Sequence, residues 1–276
     1  MTDSPRLPDK FSRLEAKYDL GDLRAGNMEV FIASSNEDIR ASQALRYRVF
    51  FEEMNAPMTE DAAATKLDRD KFDDVCDHLL VVEHQGEGRY KVVGTYRLLR
   101  RSAMEKIGHF YTEGEYNIDK IKAYQGEILE VGRSCVDASY RNRAVMQLLW
   151  RGIGAYVARF NVALMFGCAS FFGIDPQQHA QALSYLHHFH RAPADLCPVA
   201  LKERYVEMNM MPKEQVNQKE AFTGLPALIK GYLRLSGYIG NGAVIDPDYN
   251  TTDVSIVVKT DRVTEKYAQR YATKSS

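Results

Sequence analysis

At 276 residues, with 45% hydrophobic and 26% charged side chains, the chain can bury a substantial core; its formal net charge of -1 argues against a general nucleic-acid binder. Cys76, Cys135, Cys168 and Cys197 form no CxxC pair, which disfavours structural zinc and a disulfide framework and fits a reducing cytoplasm. The N-terminus, MTDSPRLPDKF, lacks the apolar core of a signal peptide, and the longest apolar run, 162–174, is shorter than the roughly 18 residues of a spanning helix.

Residues 1–27 are polar and carry Pro5 and Pro8, and are expected to form a flexible N-terminal segment. A single domain is expected over 28–260, followed by a polar tail, 261–276. The stretch 28–33 (MEVFIA) reads as a strand. Ser35 and Asp38 have the spacing of a capping box, and a helix is expected from there to about Met54. Residues 52–77 hold nine acidic side chains against three basic ones, with too little apolar periodicity for a regular element. The stretches 78–83 and 92–99 read as strands joined by the turn QGEGRY. Residues 103–124 read as an exposed helical or loop region.

The stretch 126–150, GEILEVGRSCVDASYRNRAVMQLLW, reads as a strand, a polar break and a helix, with Glu130 and Arg133 set three residues apart in the strand. Val145, Leu148, Leu149, Ile153, Tyr156, Val157 and Phe160 recur at helical spacing. A helix entered from a strand end presents free N–H groups and a positive dipole end. Residues 141–160 contain four arginines and no acid, so this start points to an anionic partner. The run 163–170 (ALMFGCAS) reads as a buried strand, Pro176 opens a helix to about His190, and 254–259 (VSIVVK) reads as a last strand. This alternation argues for one mixed α/β sheet flanked by helices.

Four local patterns occur in order: Arg46-Tyr-Arg-Val-Phe50, Asp70-Lys-Phe-Asp73, Gly94-Thr-Tyr-Arg97-Leu and Glu130-Val-Gly-Arg133. Together they resemble the GNAT acyltransferases, in the branch that holds acyl-homoserine lactone synthases and ornithine-lipid N-acyltransferases; residues 224–253 look like the ornithine-lipid group in particular. At the helix start, Arg141-Asn-Arg-Ala-Val-Met has no glycine, so close approach to a coenzyme A pyrophosphate is disfavoured. The donor this favours is 4′-phosphopantetheine carried by acyl carrier protein, with no tightly bound cofactor. Ala56 stands where lactone synthases carry a tryptophan.

The resemblance implies transfer of a 3-hydroxyacyl chain to the α-amine of ornithine. A cytoplasmic protein with no nucleic-acid partner is expected, and residues 225–239, apolar with Lys230 and Arg234 interspersed, are open to three readings: peripheral contact at the inner membrane face, a cover for the acyl channel, or plain core packing. Glu130 is the candidate base, and a salt bridge to Arg133 is its alternative role. Arg133 is an orienting partner, since a guanidinium stays charged. Tyr185 is the candidate proton donor to the departing thiolate. Asp70 and Asp73 are candidates for a cationic acceptor, with Arg46 or Arg97 pairing them or taking the acceptor carboxylate. Phe50 is a candidate for the acyl pocket, and Arg141, Arg143 and Arg151 for the donor phosphate or the carrier protein. His179, His187, His188 and His190 lack the HExxH spacing, and no metal is expected. Rival readings are another acceptor (glutamine, lysine or glycine), a lactone synthase, and a non-catalytic sensor of acylated carrier protein.

Overall fold

The computed structural model describes residues 16–261, so residues 1–15 and the expected tail from 262 onward lie outside the described residues. Part of the segment expected to be flexible is built in: β1 (Arg24–Ala25) pairs with β2 (Met28–Ile32), and the Tyr18 ring packs edge-on to Phe160 at 5.0 Å. The capping box forms as expected. Asp38 N–H donates to Ser35 Oγ (3.1 Å), and Ser35 N–H donates to the Asp38 carboxylate (3.1 Å), opening α1 (Asn36–Tyr47). The helix continues as a π-helical turn, Arg48–Glu53.

Two sequence expectations need correction in this first half. The acidic segment contains a helix, α2 (Glu60–Thr65), capped by Thr59; only Ala62 of its six residues is buried, so no apolar period marks it. The hairpin of β3 (Asp77–Gly86) and β4 (Arg89–Arg100) is tighter than expected, because Glu87 and Gly88 both adopt positive φ (53° and 73°) and close it in two residues.

Residues 103–124, expected to be exposed, are instead a cover for the sheet. They run through α3 (Arg101–Met104), a 3-10 turn (Tyr111–Gly114), β5 (Tyr116–Asn117) and α4 (Asp119–Lys122). Phe110, Tyr116 and Ile121 are all 0% exposed there. Their spacing follows neither strand nor helix because three short elements share the burial.

Next come β6 (Glu127–Val136), α5 (Arg143–Arg159), β7 (Val162–Phe172) and α6 (Ala180–Phe189). The C-terminal part adds β8 (Val199–Ala200), β9 (Tyr205–Val206), α7 (Gln218–Gly224), α8 (Ala227–Arg234), β10 (Tyr238–Asp246) and β11 (Thr251–Lys259). The last strand thus starts three residues earlier than expected. Its partner β10, which the sequence reading lacked, has its alternation interrupted by Gly240 and Gly242.

The strands form one sheet, ordered β1-β2-β3-β4-β6-β7-β11-β10-β8-β5, with β9 beside β10. It is the mixed sheet flanked by helices that the alternation calls for. On one face α5 and α8 pack Leu149, Ile153, Tyr156, Ile229 and Tyr232 against Val30, Leu79, Val131 and Met165. Gly152 lets α5 sit close, since a Cβ there would meet Val30 and Leu79 side chains at 2.9 Å. On the other face α1 covers one arm of the sheet with Leu45 against Phe31 and Leu80. Residues 103–124 cover the other arm with Phe110 and Ile121 against Ile128 and Phe166.

Candidate active site

β6 and β7 are parallel, joined through α5, and pair only from Glu127↔Val162 to Glu130↔Phe166. Beyond that rung each strand follows another neighbour: β6 stays on β4 as far as Val136, and β7 stays on β11 as far as Phe172. The sheet therefore forks, and the fork opens at the carboxyl ends of the two parallel strands, where α5 begins. Gly167 stands just past the last rung, and a Cβ there would lie 2.2 Å from the carbonyl oxygen of Val131. A narrow crevice too tight for a water runs through the fork. Val131, Met165 and Tyr232 line it from the α5 face, and Phe166 and Cys168 from the other.

The β6 arm of the fork carries a bulge. Thr95 pairs with Cys135 but Arg97 pairs with Gly132, which leaves one extra residue on β6, and Arg133 takes φ of 49°. A bulge re-aims backbone N–H groups away from the ladder, here beside the opening. At the open end Asn142 caps α5 through Ala144 N–H (3.0 Å) and Val145 N–H (3.1 Å). Arg141 lies there, holding Glu53 (2.7 Å) and the Val136 carbonyl (3.3 Å), and exposed Arg143 is the first residue of the helix. Arg151, two turns along, donates to the Arg24 carbonyl (3.2 Å) at the β1 side instead.

Glu130 sits at the last rung of the fork, on the face away from α5. Its two carboxylate oxygens accept the backbone N–H groups of Tyr111 (3.0 Å) and Thr112 (2.7 Å). The alternative pair with Arg133 is not made. Burial raises the Glu130 carboxyl above its ordinary range, and the Thr112 and Tyr111 donors, with Arg97 nearby, pull it part of the way back.

The other motif residues meet in one network. Arg46, 1% exposed, donates to Asp68 (2.8 Å) and to both oxygens of Asp73 (2.9 Å). Arg97 donates to Asp70 (2.6 Å) and Asp73 (3.2 Å), and Arg133 lies 3.4 Å from Asp70 and 3.5 Å from Asp68. Asp73 also accepts from Gln43 (3.1 Å). Burial would raise Asp73, but Arg46 and Arg97 outweigh it and hold its carboxyl at about 2. Three arginines thus neutralise three aspartates. The Arg133 guanidinium lies over the rings of Tyr111 (4.8 Å) and Tyr249 (4.2 Å), and Phe50, on the π-helical turn, packs edge-on to Tyr249 at 5.5 Å.

Tyr185 lies on α6, where its hydroxyl meets His190 Nε2 at 2.8 Å; among the described residues no hydrogen bond joins it to the fork. The tyrosine that does line the fork is Tyr232, whose hydroxyl pairs with that of Tyr96 at 3.2 Å. Sequence reasoning passed over both, although Tyr96 lies inside Gly94-Thr-Tyr-Arg97. Cys135 packs with Phe31 and Leu80 away from the crevice, and burial pushes its thiol up to about 12, so no thiolate is at hand there. His179, His188 and His190 bond to separate partners: the Phe172 carbonyl, the Met211 carbonyl and the Tyr185 hydroxyl.

Residues 45–151 match the family described as acetyltransferase (GNAT) domain. The chain is 45% identical to an L-ornithine N(alpha)-acyltransferase of Brucella abortus (strain 2308), over 92% of each chain. It is 43% identical to one of Rhizobium meliloti (strain 1021), over 90% of this chain and 85% of that one. The acyl-homoserine lactone synthase LasI is a solved structure with a TM-score of 0.45 at 11% identity, over 85% of this chain and 91% of that one. The chain belongs to the L-ornithine N(alpha)-acyltransferase family and has a GNAT-type sheet.

Proposed function

We propose that the protein is an N-acyltransferase that moves a 3-hydroxyacyl chain from the 4′-phosphopantetheine arm of acyl carrier protein to the α-amine of L-ornithine, giving lyso-ornithine lipid. The observation that carries this reading is the forked sheet with a buried carboxylate at its closed end. In this reading an extended thioester arm enters by widening the crevice between β6 and β7, where the edge of β6 facing β7 is unpaired past Glu130 and offers amide groups to the amides of the arm. Arg141 and Arg143, at the open end beside the capped start of α5, are the proposed contacts for the phosphate or an acidic carrier surface.

The acceptor nitrogen attacks the thioester carbonyl carbon. The carbonyl oxygen becomes an oxyanion beside the bulge at residues 132–134, whose N–H groups are its proposed donors. Glu130 takes the amine proton, directly or through water. Its raised carboxyl narrows the gap to an α-amine of pKa near 8, so proton transfer is less uphill. The carbon–sulfur bond then breaks and the thiolate leaves along the crevice, past the Tyr232 hydroxyl. Arg133 orients the acceptor, and Phe50 borders the acyl chain by way of Tyr249.

No helix among the described residues is long and apolar enough to cross a membrane. α8 turns Ile229 and Tyr232 inward over the fork, which supports a channel-covering role for residues 225–239. Since a lyso-aminolipid partitions into bilayers, peripheral contact at the inner membrane face belongs to the proposal; cosedimentation with anionic liposomes at varied salt checks it, and indifference removes it.

The functional test is thiol release from 3-hydroxyacyl carrier protein across the twenty amino acids plus ornithine. The fastest release is expected with ornithine. Preference for glutamine, lysine or glycine would reassign the acceptor, and saturable carrier binding with no release in any amine would make the protein a sensor.

A further inference from the structure

Two acidic clusters lie on the Glu130 face of the sheet, and they differ in charge balance. Asp68, Asp70 and Asp73 are matched by Arg46, Arg97 and Arg133 and have no charge to spare. The second cluster is Glu115, Asp246 and Asp253, whose carboxylate oxygens lie within 4.8 Å of one another. Their residues are 3%, 6% and 6% exposed. Oε2 of Glu115 and Oδ1 of Asp253 are buried without a hydrogen-bond partner, and so is the hydroxyl of Ser255, two residues along β11 from Asp253. Leaving such groups unpaired in the interior is unfavourable, and three like charges in one cage repel. This arrangement calls for a cation.

The cage adjoins the reaction site. Cys168 lines the fork and lies beside Glu115, while Arg133 is close enough to Asp253 to favour its charged form. Resting on the acyl-transfer reading above, we propose that the Glu115–Asp246–Asp253 cage receives the distal ammonium of the acceptor amino acid, and so selects a diamino acid. An ammonium has three N–H donors and no acceptor, which suits three converging carboxylates. With its far end held there, the acceptor's α-amine lies toward the fork, and its carboxylate is left to Arg133, the most exposed of the three network arginines.

The test compares ornithine with norvaline, the same amino acid without the distal amine, in thiol-release assays with acyl carrier protein. Wild-type protein is expected to favour ornithine in kcat/KM. Asp253→Asn is expected to cut the ornithine-to-norvaline ratio about thirtyfold or more, as removal of one partner from a buried charge pair does. An unchanged ratio in a folded variant overturns the proposal while leaving acyl transfer to ornithine standing. No release by the wild type with either amine counts against acyl transfer itself. Should Asp253→Asn fold poorly, thermal shifts of the wild-type chain decide: ornithine should stabilise it more than norvaline, and equal shifts overturn the proposal. Saturable binding of Mg2+ or Mn2+ that Glu115→Gln abolishes, and that ornithine does not displace, would assign the cage to a metal and overturn it as well.

Discussion

The Glu130 carboxylate, the proposed base, is buried, and two backbone N–H groups hold it. Glu130→Gln keeps one acceptor for them but sets an amide NH2 against the other, so a stability loss of about 1–3 kcal/mol is expected. If Glu130 takes the proton, kcat should fall by about 10²–10⁴ while circular dichroism stays native. A folded Gln variant with unchanged kcat would remove Glu130 from the chemistry. Glu130, Arg97, Arg133, Asp70 and Asp73 were visible in the sequence because each lies in a short local pattern. Glu115, Asp246 and Asp253 were not, since each is a lone acid on a different element until β10 and β11 lie beside the chain that carries β5. In that cage burial comes first, then mutual repulsion, in raising Glu115 and Asp253; Arg204 and Arg133, the Cys168 thiol, and the Ser170 and Thr251 hydroxyls lower one or the other. A raised carboxyl stabilises the fold below its unfolded pKa and loses that contribution as pH rises through the folded value. The ligand-free protein should therefore melt progressively lower from about pH 4 to about pH 7 through this group. Ornithine should offset the loss, so its thermal shift should grow over the same range; a shift independent of pH would contradict this assignment.

At the scale of elements, the fork depends on the absence of a side chain at position 167. Gly167→Ala would drive a methyl into the Val131 carbonyl, and backbone cannot yield as a side-chain end does. A stability loss of about 1–3 kcal/mol, read by chemical denaturation, is expected, together with slower thiol release as the strands are forced out of register. An unperturbed melt would mean that the strands part more easily than this contact implies. Elements with a clean period were legible: α5, β3, β4 and β7 each bury one face or two, and the sequence shows it. The bulge was not, because Gly132 and Arg133 read as an ordinary continuation of the strand until β4 fixes the register. Nor was α2, which buries a single alanine. The cover over residues 103–124 was misread as exposed because its buried residues are divided among elements too short to have a period.

For the whole molecule, the sheet is two arms joined at a short parallel seam, with the Arg–Asp network packed across one side of it. Asp73, held at about 2 by Arg46 and Arg97 against the effect of burial, is a lowered carboxyl. Its contribution is present above the unfolded value near 4 and is lost as pH falls from there toward 2, on the order of 2 kcal/mol in all. Acid denaturation should therefore steepen over that window, and Asp73→Asn should flatten it; an identical acid profile in the variant would contradict the network's share in stability. The mixed sheet and its flanking helices could be read from alternation alone. The fork could not, because it depends on where two distant strands stop pairing.

The most direct measurement of the central claim is mass analysis of the product formed from 3-hydroxyacyl carrier protein and ornithine by wild-type and Glu130→Gln protein. The expected result is an acyl chain on the α-nitrogen with stoichiometric release of carrier thiol, at a rate sharply reduced in the folded variant. Acylation at the distal nitrogen, or equal rates in the two proteins, would contradict a reaction run at the closed end of the fork beside that carboxylate.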